Sequence, residues 1–241
     1  MMLLADHFAI LRQTRAHSPA VSFRGATHCF GELVTHGWQV GNGLLGSDVP
    51  RRERVAILAR NRPEFFELLI GASATGHALA ALDWRLAAEE LTAQLDEAGS
   101  RMLFVEAEFY AIVAHIAPQL SRLRHIIALD GGHRRWPDYQ RWRNAQRPTR
   151  PQTRARDDDE LLHLYAPGST AGIGGIALSN RVYEKLLQAL LGRCALGSRA
   201  AAAVRSMMPL FHPGGMNRCV LPLLRGGHLH LLEDGPGAAA G

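Results

Sequence analysis

The residues richest in chemistry lie between Leu161 and Asn180, LLHLYAPGSTAGIGGIALSN. An apolar strand leads into Gly168-Ser169-Thr170 and then Gly172, Gly174 and Gly175, and a helix is expected to begin at Ser179 or Asn180. Small residues let backbone amides approach an anion closely, and two adjacent hydroxyls can donate to its oxygens. Such a turn suits the holding of phosphate. It is not a Walker A loop, because no Gly-Lys pair occurs in the chain. On spacing alone, a plain glycine-rich connection stays open as the alternative.

Other strings read more plainly. Gly41-x-Gly43-x-x-Gly46 matches a dinucleotide fingerprint, but a helix precedes it and a strand follows. A pyrophosphate site needs the reverse order, with helix amides facing the anion, so the string reads as a helix end and turn. His228-x-His230 puts two imidazoles on one strand face with no third metal ligand nearby in sequence. His212-Pro213-Gly214-Gly215 has no G-x-S-x-G serine to serve. Asp157-Asp158-Asp159-Glu160 reads as a solvated acidic turn opening a structured segment.

The elements that must position these residues alternate in period. Strands are expected at 20–24, 54–59, 77–82, 102–105, 125–129, 161–166, 204–210 and 228–232. Helices are expected at 32–45, 88–98, 106–120 and 181–191, with a short one after Gly215. One further helix is expected to be capped by Asn61, with Phe65, Leu68, Leu69 and Ala72 on its buried face and Gly76 at its end. This alternation argues an α/β fold of parallel or mixed sheets with flanking helices. Residues 134–156 break the pattern: they are rich in arginine, with three prolines and with Trp136, Tyr139 and Trp142 interleaved. The division expected is therefore a first α/β subdomain at 1–133, an Arg/Pro-rich linker at 134–159, the start of a second subdomain at 160–234 and a frayed tail at 235–241.

The chain has 241 residues, 47% of them hydrophobic and 20% charged, which excludes a wholly disordered protein. Of its 27 basic residues only Lys185 is a lysine, so lysine chemistry must use that residue or none. Cys29, Cys194 and Cys219 form no disulfide framework or zinc spacing, which points to a reducing cytoplasm. The N-terminus lacks the basic region of a secretory signal, and no run of about 18 apolar residues is present to span a membrane. The net charge of +5 permits peripheral contact with an anionic membrane. Nucleic acid is not an expected partner.

Taken together, these segments resemble the N-terminal part of AMP-forming acyl-CoA synthetases, in the adenylate-forming ligase superfamily. The family's phosphate loop, Y-T-S-G-T-T-G-x-P-K-G followed by an apolar pair and Leu-Ser/Thr-His, aligns without a gap on Tyr165 to Asn180. In the family's order come Ala20-Val-Ser-Phe-Arg24 with Phe30-Gly-Glu-Leu33, Arg54 to Phe66 (RVAILARNRPEFF), Ala81 to Leu86 with Glu90-Leu91, Met208 to Gly215 (MPLFHPGG) and Gly226-Gly227. The resemblance covers residues 1 to about 234. It implies ATP with Mg²⁺, a fatty or other carboxylic acid, and CoA as co-substrate. Gly168, Ser169, Thr170, Gly172 and Gly175 would hold ATP phosphates, and His212 would lie at the acyl pocket or its entrance.

The chain also departs from the family pattern. Ala166 and Pro167 replace Thr and Ser, removing a hydroxyl and an amide donor, and Ala171 replaces a loop glycine. Ile173 and Gly174 replace the loop's Pro and Lys. Charge-assisted bonds are the strong ones, so the phosphate grip should be weakened. The family's adenine motif, its acid, its ribose-binding Asp and its C-terminal catalytic Lys lie beyond the part matched. The expectation is an incomplete N-terminal domain, truncated and inactive or only partly competent alone, with no catalytic residue of its own. The alternatives are half of a split ligase completed by a second chain, or a binding module using 134–156 on anionic lipid or RNA.

Overall fold

A computed structural model describes residues 2–153, 155–165, 174–194 and 203–233. The chain opens with α1 (Leu4–Arg15), β1 (Pro19–Phe23), β2 (Ala26–Cys29), α2 (Phe30–Gly46), β3 (Arg54–Leu58), α3 (Glu64–Thr75) and β4 (Ala78–Ala81). It continues with α4 (Ala88–Ala98), β5 (Met102–Val105), α5 (Tyr110–Ile116), β6 (His125–Ala128) and α6 (Tyr139–Asn144). Then follow β7 (Glu160–Leu164), β8 (Ile176–Ser179), α7 (Asn180–Cys194), β9 (Val204–Ser206), α8 (Pro213–Leu224) and β10 (Leu229–Leu231). Short 3-10 turns flank α5, at Ala107–Phe109 and Ala117–Gln119, where one continuous helix over 106–120 was expected.

Two sheets result. The larger runs β6-β5-β3-β4-β7-β8, parallel throughout except for β8, which returns antiparallel to β7. The smaller runs β2-β1-β10-β9, with an antiparallel β1–β2 hairpin beside parallel β10 and β9. The apolar runs at 55–58, 78–81 and 102–105 are buried on both faces, as strands covered by helices on each side must be.

Sheet membership does not follow the boundary expected at 134–159. The hairpin at 19–29 joins strands after residue 203, and β7 completes the sheet begun by β3. Register explains this: Val21 pairs with Leu229, and Leu79 with Leu162, so each end of the chain supplies edges that the other end needs.

Nor is 134–159 a free linker. Asp138 caps α6 by accepting the Arg141 amide at 2.7 Å. Trp142 fills the space over Gly43, where an added Cβ would stand 2.5 Å from the indole. Tyr139 donates to Glu67 at 2.6 Å, and Arg143 to the same carboxylate at 2.9 Å. Burial would raise the Glu67 pKa, but the His36 hydrogen bond and the charges of Arg143 and His36 hold it well below the usual range. Gly41 and Gly43 thus belong to a packed helix, not to a nucleotide turn.

Candidate functional site

Strand β7 carries the apolar run that ends at Tyr165, and β8 begins at Ile176 on its flank. The turn expected to grip phosphate must therefore leave and return at one end of these two strands. Of its candidate residues, Gly168, Ser169, Thr170 and Gly172 lie outside the described residues. Gly175 is described, and it marks where the turn rejoins the sheet.

The base of that turn is set by polar groups among which sequence reading gave no role to His163 or Glu97, and Asp159 and Glu160, expected in a solvated turn, are instead paired and largely buried. His163 is 1% exposed. Its Nδ1 lies 2.9 Å from Glu160 Oε1, and its Nε2 lies 3.0 Å from Glu97 Oε2. A carboxylate only accepts, so both ring nitrogens are placed to donate. Tyr165 lies edge-on to His163 and donates to Glu97 at 2.8 Å and to the Gln94 carbonyl at 3.1 Å. Arg54 donates to both Glu160 oxygens at 3.0 and 3.1 Å.

The electrostatics agree with that geometry. Burial would raise the pKa of Glu97, but hydrogen bonds from Tyr165 and His163 leave it lowered. Burial would likewise raise Glu160, and hydrogen bonds from His163 and Arg54 outweigh it. Burial, then the Glu97 hydrogen bond, pushes the Tyr165 phenol up. Gly175 leaves no room for a side chain, because an added Cβ would overlap His163 Nε2.

His212 is positioned by different means. It caps α8, its Nδ1 accepting the Gly214 amide at 3.0 Å, with Pro213 at the first helical position. Asn61 fixes the turn ahead of it, which corrects the expectation that Asn61 caps a helix: α3 follows Pro63 instead. The Asn61 side chain donates to the Met208 carbonyl at 3.0 Å and accepts from the Leu210 amide at 2.8 Å, tying the end of β3 to the segment bearing His212. Its place in the Arg54–Phe66 block was the available signal.

Beside His212, Phe211 meets Trp84 edge-on at 6.5 Å, and Trp84 packs on Phe109. The Arg60 guanidinium lies 4.1 Å over the Trp84 ring. Trp84 Nε1 is buried and, among the described residues, finds no acceptor. Around this wall, Arg62 binds Glu64 at 2.9 Å and Asp130 at 3.0 Å. Burial raises the Glu106 pKa, although the Arg60 amide donates to it at 2.7 Å.

Lys185 is exposed on α7, past β8. His228 lies 2.8 Å from the Ser22 hydroxyl and 4.1 Å, ring to ring, from His230. Among the described residues no group of three or more His, Cys, Asp or Glu could hold a metal ion.

A family model described as AMP-binding enzyme matches residues 8–240. The chain belongs to the AMP-binding enzyme family. It is 27% identical over 204 residues to the fatty acid–[acyl-carrier-protein] ligase ScoC of Streptomyces coeruleorubidus, covering 83% of this chain and 37% of the relative. It is 30% identical over 227 residues to a feruloyl-CoA synthase of an Amycolatopsis species, covering 92% and 42%. Among solved structures, the anthranilate CoA ligase AuaEII in complex with anthranoyl-AMP superposes with a TM-score of 0.89 at 25% identity, over 98% of this chain and 45% of that one. A putative long-chain-fatty-acid CoA ligase from Rhodopseudomonas palustris shares the fold, with a TM-score of 0.84 at 21% identity over 95% of this chain and 57% of that one. The chain spans about two-fifths of the length of these curated relatives. Among its described residues no helix is long and apolar enough to cross a membrane.

Proposed function

We propose that this chain supplies the phosphate-gripping and acid-facing portion of an ATP-dependent acid–thiol ligase. In the reaction, a carboxylate oxygen attacks the α-phosphorus of ATP. The bond to the β-phosphate breaks, and acyl-adenylate and pyrophosphate form. The CoA sulfur then attacks the acyl carbon, AMP leaves, and the thiol proton passes to solvent. The chain's part is positioning and charge stabilisation. Amides and hydroxyls of Gly168, Ser169, Thr170, Gly172 and Gly175 hold the phosphates, and His212 faces the acid.

One observation carries this reading: β7 and β8 bring the two stems of the glycine-rich turn, Tyr165 and Gly175, onto a single buried imidazole. The two stems of the turn are thereby set side by side at the end of the sheet. Fatty, ferulic and anthranilic acids appear in the names of similar proteins. The acid taken here belongs to the carboxylic acids as a class.

The test is pyrophosphate release from ATP with a panel of fatty and aromatic acids. The purified 241-residue chain alone is expected to release none. Addition of a polypeptide carrying the C-terminal part of a related ligase is expected to give release that Ser169→Ala/Thr170→Ala lowers. Release indifferent to those substitutions contradicts the proposal. A second reading, a split ligase, draws support from large apolar side chains left exposed in the second half of the chain: Ile176 at 46%, Val182 at 49% and Met207 at 49%. Co-purification with a second chain, and activity only in the mixture, distinguishes it.

A further inference from the structure

At the opposite edge of the large sheet, α5 and the turn after β6 enclose a cleft of about 530 Å³. Its walls are aromatic and cationic. The rings of His133 and Trp136 stack at 3.7 Å and 21°, and Tyr110 stands edge-on to both, at 5.2 and 5.5 Å. Arg134 and Arg135 complete the rim, and Ala114 and Ala117 form a smooth floor.

The cluster is built rather than incidental. Gly131 and Gly132 adopt φ of 67° and 71°, a left-handed turn that returns the chain over α5. Tyr110 donates to the Gly131 carbonyl at 3.2 Å, and its oxygen accepts the Asp130 amide at 3.3 Å. His133 Nδ1 accepts the Arg135 and Trp136 amides at 3.3 and 3.2 Å, which leaves Nε2–H to donate elsewhere. The nearby carboxylates are occupied: Asp130 by Arg62 and the Ala107 amide, and Asp138 by the Arg141 amide. Arg134 and Arg135 are exposed, with no carboxylate partner among the described residues.

We propose that this cleft is a second ligand site, for a planar aromatic group bearing a phosphate or carboxylate. The ring stacks on the His133–Trp136 pair. The guanidinium forks take the anion, for which their planar donors are suited, and His133 Nε2–H adds a further donor. Four strand spacings separate β6 from β7, about 19 Å. Occupancy here is therefore independent of the nucleotide turn.

The experiment is an NMR titration of the full chain with uridine 5′-monophosphate and, separately, 2-naphthoate. It follows the Trp136 indole N–H and the Arg134 and Arg135 amides. At least one probe is expected to shift these signals saturably, and the stronger of the two assigns the anion as phosphate or carboxylate. Uridine, naphthalene and ribose 5-phosphate, each lacking the anion or the ring, are expected to bind about tenfold more weakly or worse. Arg134→Gln/Arg135→Gln, on exposed side chains, should weaken binding by a similar factor. Ser169→Ala/Thr170→Ala should leave it unchanged. The proposal is overturned if neither anion shifts the signals at millimolar concentration, if the neutral rings bind equally well, or if the double arginine variant binds as tightly as the parent.

Discussion

The imidazole of His163 occupies the place a side chain at Gly175 would need. The residue that ends the glycine-rich turn therefore rests directly on a ring clamped between Glu97 and Glu160. Gly175→Ala is expected to destabilise the chain by about 1–3 kcal/mol, because the ring is held from both sides and has nowhere to go. His163→Ala in the same chain should remove the clash, so the double variant should lose less than the two single losses combined. Thermal unfolding of the four proteins checks this, and strict additivity would contradict it.

Asn61 offers a second point of failure. Asn61→Ala strands the buried Leu210 amide and frees the Met208 carbonyl, at a cost of about 2–3 kcal/mol. Asn61→Asp keeps the acceptor for Leu210 but aims a carboxylate at a carbonyl, so it should rescue little. Denaturant midpoints for both variants test the link between β3 and the His212 segment.

Acid should loosen the α2–α3–α6 packing through Glu67. Its carboxyl is held at about 2 in the folded chain, against about 4.3 when unfolded. A depressed carboxylate stabilises fully above its unfolded value, and the contribution fades as pH falls from about 4.3 toward about 2. Glu67→Gln should cost about 3–5 kcal/mol near neutral pH by leaving the Arg143 charge buried without its partner. It should also flatten this part of the acid profile. Unfolding free energies measured from pH 6 to pH 2 decide both points.

Gly43→Ala should displace the Trp142 ring and lift α6 from α2. Arg141 and Arg147 would then be cut faster by trypsin in the native state. Unchanged cleavage would show that residues 134–156 are held by something else.

Much of the architecture was legible in the sequence, because the strands that make up the large sheet are short apolar runs whose type follows from burial. Val55–Leu58 and Met102–Val105 read as strands and are strands. The Arg/Pro-rich stretch misled for a physical reason: composition reports average solvation, while Tyr139, Trp142 and Arg143 pack against specific residues of α2, α3 and β5 that are distant in sequence. Arg143 reads as a surface charge until Glu67, 76 residues away, is beside it. At the candidate site, the glycines and hydroxyls of 168–175 can be singled out by type alone as candidates for holding phosphate. His163 and Asn61 cannot, since their roles lie in contacts with Glu97 and Leu210 that spacing along the chain does not express.

The most direct test of the central claim, that the turn between Tyr165 and Ile176 grips nucleotide phosphate, is calorimetric titration of the chain with ATP·Mg²⁺. Saturable binding that persists in the Arg134→Gln/Arg135→Gln chain, where the cleft beside Trp136 is silenced, and that Ser169→Ala/Thr170→Ala weakens there, is the result expected. Absence of binding, or binding untouched by the loop substitutions, would contradict it.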